Sequence, residues 1–132
     1  MKPGSLHHVT VTNVTGTAEN SVRICGSAAS RVHDVVLDRV SVTLERTTQF
    51  KGALYDNRPT TAMTAIEPHD TPGFSIEHAD HVTLKDCSVA WGVNVAESFS
   101  YAVEAVDAPG LKVVGLKGGA ARKELGKAVS IA

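Results

Sequence analysis

The chain has 132 residues and a mass of 13.9 kDa, enough for one core and too short for an enzyme built from two lobes. Thirteen Lys and Arg stand against 14 Asp and Glu with no block of like charge, which argues against a general electrostatic grip on nucleic acid or an anionic membrane. Apolar residues at 42% and charged residues at 20% exclude a disordered chain, and no apolar run approaches the ~20 residues that span a bilayer. The start, Met1-Lys2-Pro3-Gly4, runs into alternating Thr and Val with no signal-peptide core.

Val (18) and Thr (12) far outnumber Leu (8), and β-branched side chains suit a pleated surface better than a helix, so the expectation is an all-β chain. Cys25 and Cys87 lie outside any C-x-x-C pair, which removes a zinc knuckle or dithiol motif, and both read as small buried apolar residues.

In chain order, residues 6–14 (LHHVTVTNV) open a first strand family with apolar residues at alternating positions, a polar residue and a small apolar one. Residues 22–25 (VRIC) open a second, shorter family. Residues 32–40 (VHDVVLDRV) repeat the first, and 53–56 (ALYD) the second. Residues 57–73, rich in Pro and Thr, are expected to leave the body as a surface loop. The families return as 74–77 (FSIE), 79–87 (ADHVTLKDC), 102–105 (AVEA), 108–116 (APGLKVVGL) and 128–131 (AVSI); between the last two, 120–126 (AARKELG) allows at most two helical turns closed by a glycine.

The positions Val9, Val35, Val82 and Leu111 are separated by 26, 47 and 29 residues, the 47 reading as two repeats with one degenerate. Two alternating strand families at this period predict a right-handed single-stranded parallel β-helix of about four to five coils, a single domain over residues 1–132. Leucine-rich repeats and propellers would need spacings that are absent. Neither end shows a cap, so the chain is expected to be the distal part of a longer β-helix or to associate end to end, and a free monomer should aggregate.

Matching Ile76 with Val103 as inward residues places Glu77 and Glu104, 27 apart, as stacked neighbours on an outer face that also carries Arg23 and Tyr55. Paired carboxylates raise one pKa and can serve acid–base chemistry, whereas a solvated row meeting Lys or Arg is the structural alternative. Arg pairs with a uronate carboxylate and Tyr stacks on a sugar ring, so this face would suit an acidic sugar polymer. His69-Asp70, His33-Asp34 and His78, Asp80 and His81 lack the spacing of a metal site. His7, His8, His33 and His81 precede core positions and read as turn residues; Asn13, in an N-x-T sequon, reads as a coil corner. The cluster Asp56-Asn57-Arg58-Pro59 is either a turn or a ligand-facing loop.

With these repeats in place the chain resembles the C-terminal coils of bacterial glycoside hydrolase family 28, the polygalacturonase-like enzymes acting on pectic polymers. The resemblance rests on residues 9–16 (VTVTNVTG), 35–42 (VVLDRVSV), 54–60 (LYDNRPT), 69–76 (HDTPGFSI) and 82–92 (VTLKDCSVAWG) and covers most of residues 6–116. It implies an extracellular or periplasmic protein directed at an acidic, pectic polysaccharide, this segment supplying the end of the sugar cleft; the candidate substrate contacts, taken from the outer face and the loop clusters, are Tyr55, Asp56, Arg58, His69, Asp70, Glu77 and Glu104. The family's aspartates act as general acid and base for inverting hydrolysis, in an Asn-Thr-Asp segment and an Asp-Asp pair, beside a Gly-His-Gly turn and an Arg-x-Lys clamp. All four motifs are absent from this chain, so no catalytic residue carries over, no metal or cofactor is implied, and the resemblance places the catalytic coils upstream of Met1. The alternatives are a stand-alone carbohydrate-binding or structural module assembling as a homo-oligomer through its ends, and a lyase or epimerase using Glu77 and Glu104.

Overall fold

Two positions of each long strand take the left-handed backbone conformation, and these bends organise the molecule. The structure is a computed structural model that describes residues 6–49, 52–59 and 63–132. Its strands are β1 (His7–Ala18), β2 (Val22–Cys25), β3 (Val32–Leu44), β4 (Leu54–Asp56), β5 (Ile66–Pro68), β6 (Phe74–Glu77), β7 (Ala79–Lys85), β8 (Ser88–Trp91), β9 (Val103–Val106), β10 (Lys112–Val114) and β11 (Val129–Ile131). The chain is all-β, with two parallel sheets. One runs β1-β3-β7-β10, with β8 beside the far half of β3; the other runs β2-β6-β9-β11. The chain alternates between the sheets, so strands stack in four successive passes.

The sequence repeat is the sheet register. Val9 pairs with Val35, Val35 with Val82, and Lys112 with Thr83, which sets Leu111 beside Val82. The 47-residue interval is therefore one pass and not two, because β3 lies directly on β7. The surplus forms an antiparallel hairpin of β4 and β5, so residues 53–56 do not belong to the second sheet, where β2 pairs straight onto β6. The expected surface loop at 57–73 is likewise corrected: Ile66–Pro68 is a strand, and Thr71 and Pro72 are buried where the chain re-enters the second sheet. Residues 60–62 of that segment, the end of the 54–60 string and the first five residues lie outside the described residues.

Left-handed φ angles recur in register at His8, Asp34, His81 and Gly110, and again at Asn13, Arg39, Asp86 and Gly115. Each bend costs a non-glycine residue about 1 kcal/mol, least for Asn and Asp, and each shifts the in-out phase by one residue. That is why β3 buries Val32, Val35, Leu37, Val40, Val42 and Leu44, skipping two residues across Asp34 and across Arg39 and one elsewhere. Glycine closes both rows for a steric reason as well: a Cβ on Gly110 would sit 2.5 Å from His81 Nδ1. The turn placements of His8, His81 and Asn13 follow from the same geometry.

On the second sheet Val22, Phe74, Val103 and Val129 form one inward row, and Ile24, Ile76, Ala105 and Ile131 the next. The interval from β6 to β9 is thus 29 residues, as in the first sheet, and the 27-residue match of Ile76 with Val103 is corrected: Ile76 pairs with Ala105, Ser75 with Glu104 and Glu77 with Val106. Glu77 and Glu104 share the outer face as diagonal neighbours rather than in one row. Cys87 is in the core, while Cys25 is half-buried on the outer side of β2; both are free thiols. The segment expected to make at most two helical turns is a single 3-10 turn, Lys123–Leu125, closed by Gly126 at φ 75.

One ionic clamp ties a corner together. Arg31 donates from Nε and Nη2 to Asp80 at 3.0 and 2.8 Å and from Nη1 to Asp107 at 2.6 Å, and His78 Nδ1 donates to Asp107 at 2.7 Å. Arg31, then His78, holds the Asp107 carboxyl down to about 2, and Arg31 lowers Asp80 as well.

Two outcomes follow. Leu84, 1% exposed between two passes, is expected to cost about 2–5 kcal/mol as Leu84→Ala in thermal or urea unfolding, since the stacked rows cannot collapse onto the void; a loss under about 1 kcal/mol would mean the row is not closed. Because Asp80 and Asp107 titrate below their ordinary range in the folded state, their stabilising contribution is complete above pH ~4 and lost as the pH falls towards 2. Arg31→Gln is expected to raise the pH midpoint of acid unfolding, and an unchanged midpoint would remove the clamp from the stability of the corner.

Candidate functional site

The hairpin lies on the outer face of the second sheet because that face has a gap shaped for it. Along one outward row stand Arg23, Ser75, Glu104 and Ser130, one from each pass. Ser75 and Ser130 are its small members, and Tyr55 from β4 packs over Ser75, whose hydroxyl bonds the Tyr55 side chain. The Tyr55 ring takes the Arg23 guanidinium on one face, 4.0 Å from its centroid, and the His69 ring on the other, with centroids 4.5 Å apart and planes 21° from parallel. Its hydroxyl meets Ser21 Oγ at 3.0 Å, and Ser21 in turn donates to the Pro72 carbonyl at 2.6 Å. Burial raises the Tyr55 pKa above the ordinary phenol value, against the pull of the Ser21 and Ser75 hydroxyls and Arg23.

This stack changes the expected role of Tyr55. At 1% exposure, with both ring faces covered, it holds the hairpin down and is not a platform for a sugar ring. Arg23 is spent in the same way, donating to Asn57 Oδ1 at 2.9 Å.

His69 and Glu104 are the reactive pair the stack exposes. His69 Nδ1 donates to the Asp70 carbonyl, which points Nε2 at Glu104 Oε1, 3.5 Å away; each side chain is 21% exposed. The Glu104 carboxyl is pushed up from its ordinary value by burial first; His69 opposes the rise, and Asp70 and Glu77 add to it. With Nδ1 committed to the Asp70 carbonyl, Nε2 is the ring atom that faces the Glu104 carboxyl.

Beside it, a cleft of about 570 Å³ is lined by Ala53, Asp70, Glu97, Ser98, Arg122 and Glu124. Arg122 is anchored through Nε on the Phe99 carbonyl at 3.1 Å, while its terminal nitrogens stand 3.9 Å from Asp70 and 3.8 Å from Glu124, beyond hydrogen-bond length. Asp70 and Glu124 thus hold its terminal nitrogens in long ion pairs without hydrogen bonds. Ser98 Oγ, in the wall of this cleft, is buried without a hydrogen-bond partner.

Of the seven residues singled out from sequence, His69, Asp70 and Glu104 come together, with Tyr55 beneath them. Asp56 and Arg58 do not join: they form an exposed bidentate pair at 2.7 and 2.9 Å at the end of β4, and Arg58 lowers the Asp56 carboxyl to about 2. Glu77 is on the same outer face but leans to the corner, 3.6 Å from His78. Arg122, Ser98 and Glu97 escaped sequence reasoning, since they arrive from connections with no periodic pattern; Arg122 was visible only as part of a short helix signal. Among the described residues no group of His, Cys, Asp and Glu is placed to hold a metal ion, and no helix is long and apolar enough to cross a membrane.

Comparison with family models, with curated proteins and with solved structures finds no match to this chain.

Tyr55→Ala is expected to destabilise the protein by about 3–5 kcal/mol and to free the hairpin, whereas Tyr55→Phe, losing the hydroxyl's contacts with Ser21 and Ser75 but keeping the ring, should cost about 1–2 kcal/mol. Hydrogen exchange across residues 54–68 reads both; equal protection in wild type and Tyr55→Ala would show that the stack does not hold the hairpin.

Proposed function

We propose that this chain is a right-handed parallel β-helix of the polygalacturonase-like kind, directed at an acidic, pectic polysaccharide and non-catalytic by itself. The stacking of all four passes in parallel supports the β-helix, and the right-handed crossover is the hand that parallel strands of one sheet almost always adopt. One observation carries the sugar reading: Arg122, anchored on the Phe99 carbonyl and held only at ion-pair distance by Asp70 and Glu124, lines a cleft shared with Glu97 and Ser98 next to His69. In this reading Arg122 pairs with a uronate carboxylate, the carboxylates of the cleft accept from sugar hydroxyls, and His69 and Glu104 set the charge of the floor. The absence of the family's Asp-Asp, Asn-Thr-Asp, Gly-His-Gly and Arg-x-Lys strings supports a binding role over hydrolysis.

A negative cleft repels a polyanion, so affinity depends on Glu104. Its raised pKa means that it takes its proton above the ordinary carboxyl range, and a neutral Glu104 removes a negative charge opposite the uronate. Titration calorimetry with oligogalacturonate is expected to show binding that tightens as the pH falls through mildly acidic values. Arg122→Ala should weaken it about tenfold or more, equivalent to ~1.4 kcal/mol. Glu104→Gln should bind at neutral pH as the wild type does in mild acid. Heat identical for a neutral oligosaccharide of the same length, or no heat with either, would sink the uronate reading.

A further inference from the structure

The cleft beside Arg122 does not stop at Ser98. Ala53, Glu97 and Ser98 also line a larger cavity of about 970 Å³, which runs between two connections, residues 46–49 of the second pass and 93–98 of the third, as far as Arg46. The two cavities meet along this shared wall. Its flanks are fixed by the fold: Glu19 of the first pass accepts from the backbone N–H groups of Thr47 and Thr48 at 2.7 and 2.6 Å, and Glu45 accepts from the Val93 N–H at 2.6 Å. The Arg46 N–H donates to the Asn94 carbonyl at 2.9 Å, which ties one connection to the other. A groove held from both sides spends little on ordering when a ligand enters.

Two polar groups in it are incompletely satisfied by the protein. Among the described residues Arg46 has no carboxylate within ion-pair distance; its guanidinium donates from Nη2 to the Gln49 carbonyl at 3.3 Å, and residues 1–5, 50–51 and 60–62 contain no Asp or Glu. The carboxylates of Glu19 and Glu45 are committed to backbone N–H groups. Ser98 Oγ, where the cavities meet, is buried with no hydrogen-bond partner. An unpaired buried hydroxyl is a cost that a hydroxyl or carboxylate of a ligand removes. The exposed Val93 and Val95 add an apolar strip beside these groups.

We propose that the two cavities are one carbohydrate groove and that its ligand is an oligomer long enough to reach both Arg122 and a second anchor, Arg46. This rests on the acidic-carbohydrate reading of the Arg122 cleft and adds to it the length of the ligand. Arg46 belongs to the second pass and Arg122 to the fourth, so they stand roughly 10 Å apart along the axis at the spacing of paired strands. A single uronate cannot pair with both. Each cavity alone has the size of a small-molecule pocket, which runs to about 1,000 Å³, and the two together exceed it. Between the arginines Ser98 meets a polar group of the chain, and Glu97 accepts from its hydroxyls.

Calorimetric titration in mild acid compares digalacturonate with hexagalacturonate on the full chain and on Arg46→Ala and Ser98→Ala, whose folding is verified by circular dichroism and melting temperature. Wild type is expected to bind the hexamer at least about tenfold more tightly than the dimer. Arg46→Ala should remove most of that advantage. Ser98→Ala should weaken the hexamer roughly two- to tenfold with no fall in melting temperature, because the folded protein loses no hydrogen bond. A hexamer no tighter than the dimer, or an advantage that survives both substitutions, overturns the second anchor; dimer binding that is lost in Arg122→Ala then leaves the carbohydrate reading of the first cleft standing. Absence of binding by either oligomer overturns that reading and the extended groove together.

Discussion

Hydrogen bonding between successive passes is the constraint on which the rest depends. Within one pass the strands are too short and too far apart to pair, so nearly every ladder hydrogen bond of β3, β7 and β9 goes to the pass before or after. A pass fits its neighbour only if its bends come at the same places, and the two left-handed rows from His8 to Gly110 and from Asn13 to Gly115 provide that. Moving a bend by one residue would turn every following inward side chain to solvent. The strain of these residues is accepted because a single αL position costs less than a row of mispaired valines.

The same constraint shows where the chain tolerates extra length. Between the bends an insertion would break the phase; between β3 and β6, where the chain crosses from one sheet to the other, it only lengthens a connection. The β4–β5 hairpin occupies that crossing, and its attachment depends on one small residue. Ser75, between Arg23 and Glu104, leaves a pocket one aromatic ring deep, and Tyr55 seals it with cationic and aromatic faces on either side. His69, two residues before the buried Thr71 and Pro72, is thereby held against Tyr55 with Nε2 turned to Glu104. The orientation of the His69–Glu104 pair is thus a consequence of the packing beside it.

Legibility divides along this line. The register of the first sheet could be read from the sequence because the repeat of Val9, Val35, Val82 and Leu111 is the pairing itself, and polar Asn13, Arg39 and Asp86 before a small apolar residue mark a bend. The second sheet was harder. Its strands are four residues or fewer, and Phe74-Ser75-Ile76-Glu77 and Ala102-Val103-Glu104-Ala105 alternate equally well in two alignments two residues apart. Only the bend rows of the first sheet select the 29-residue interval. The 47-residue interval was misread because an inserted hairpin and a decayed repeat have the same sequence signature: a short β-like run at a plausible distance. Arg122 carries no such signal, since its position depends on a backbone carbonyl of Phe99 on another connection.

The burial of Tyr55 bears most directly on how the outer face recognises anything. An exposed aromatic ring would bind a pyranose by stacking, largely indifferent to its charge. With both faces of Tyr55 covered, the face offers instead a tethered guanidinium, three carboxylates in the cleft wall and an imidazole–carboxyl pair whose charge depends on pH. Such a surface discriminates by the number and position of charges and hydroxyls on the ligand. Asp70, 3.9 Å from the guanidinium of Arg122, places a negative charge beside the cleft's cation, so any anionic group that approached Arg122 would meet repulsion as well as attraction. Glu104 bears on that balance, because burial favours its neutral form, which carries no negative charge.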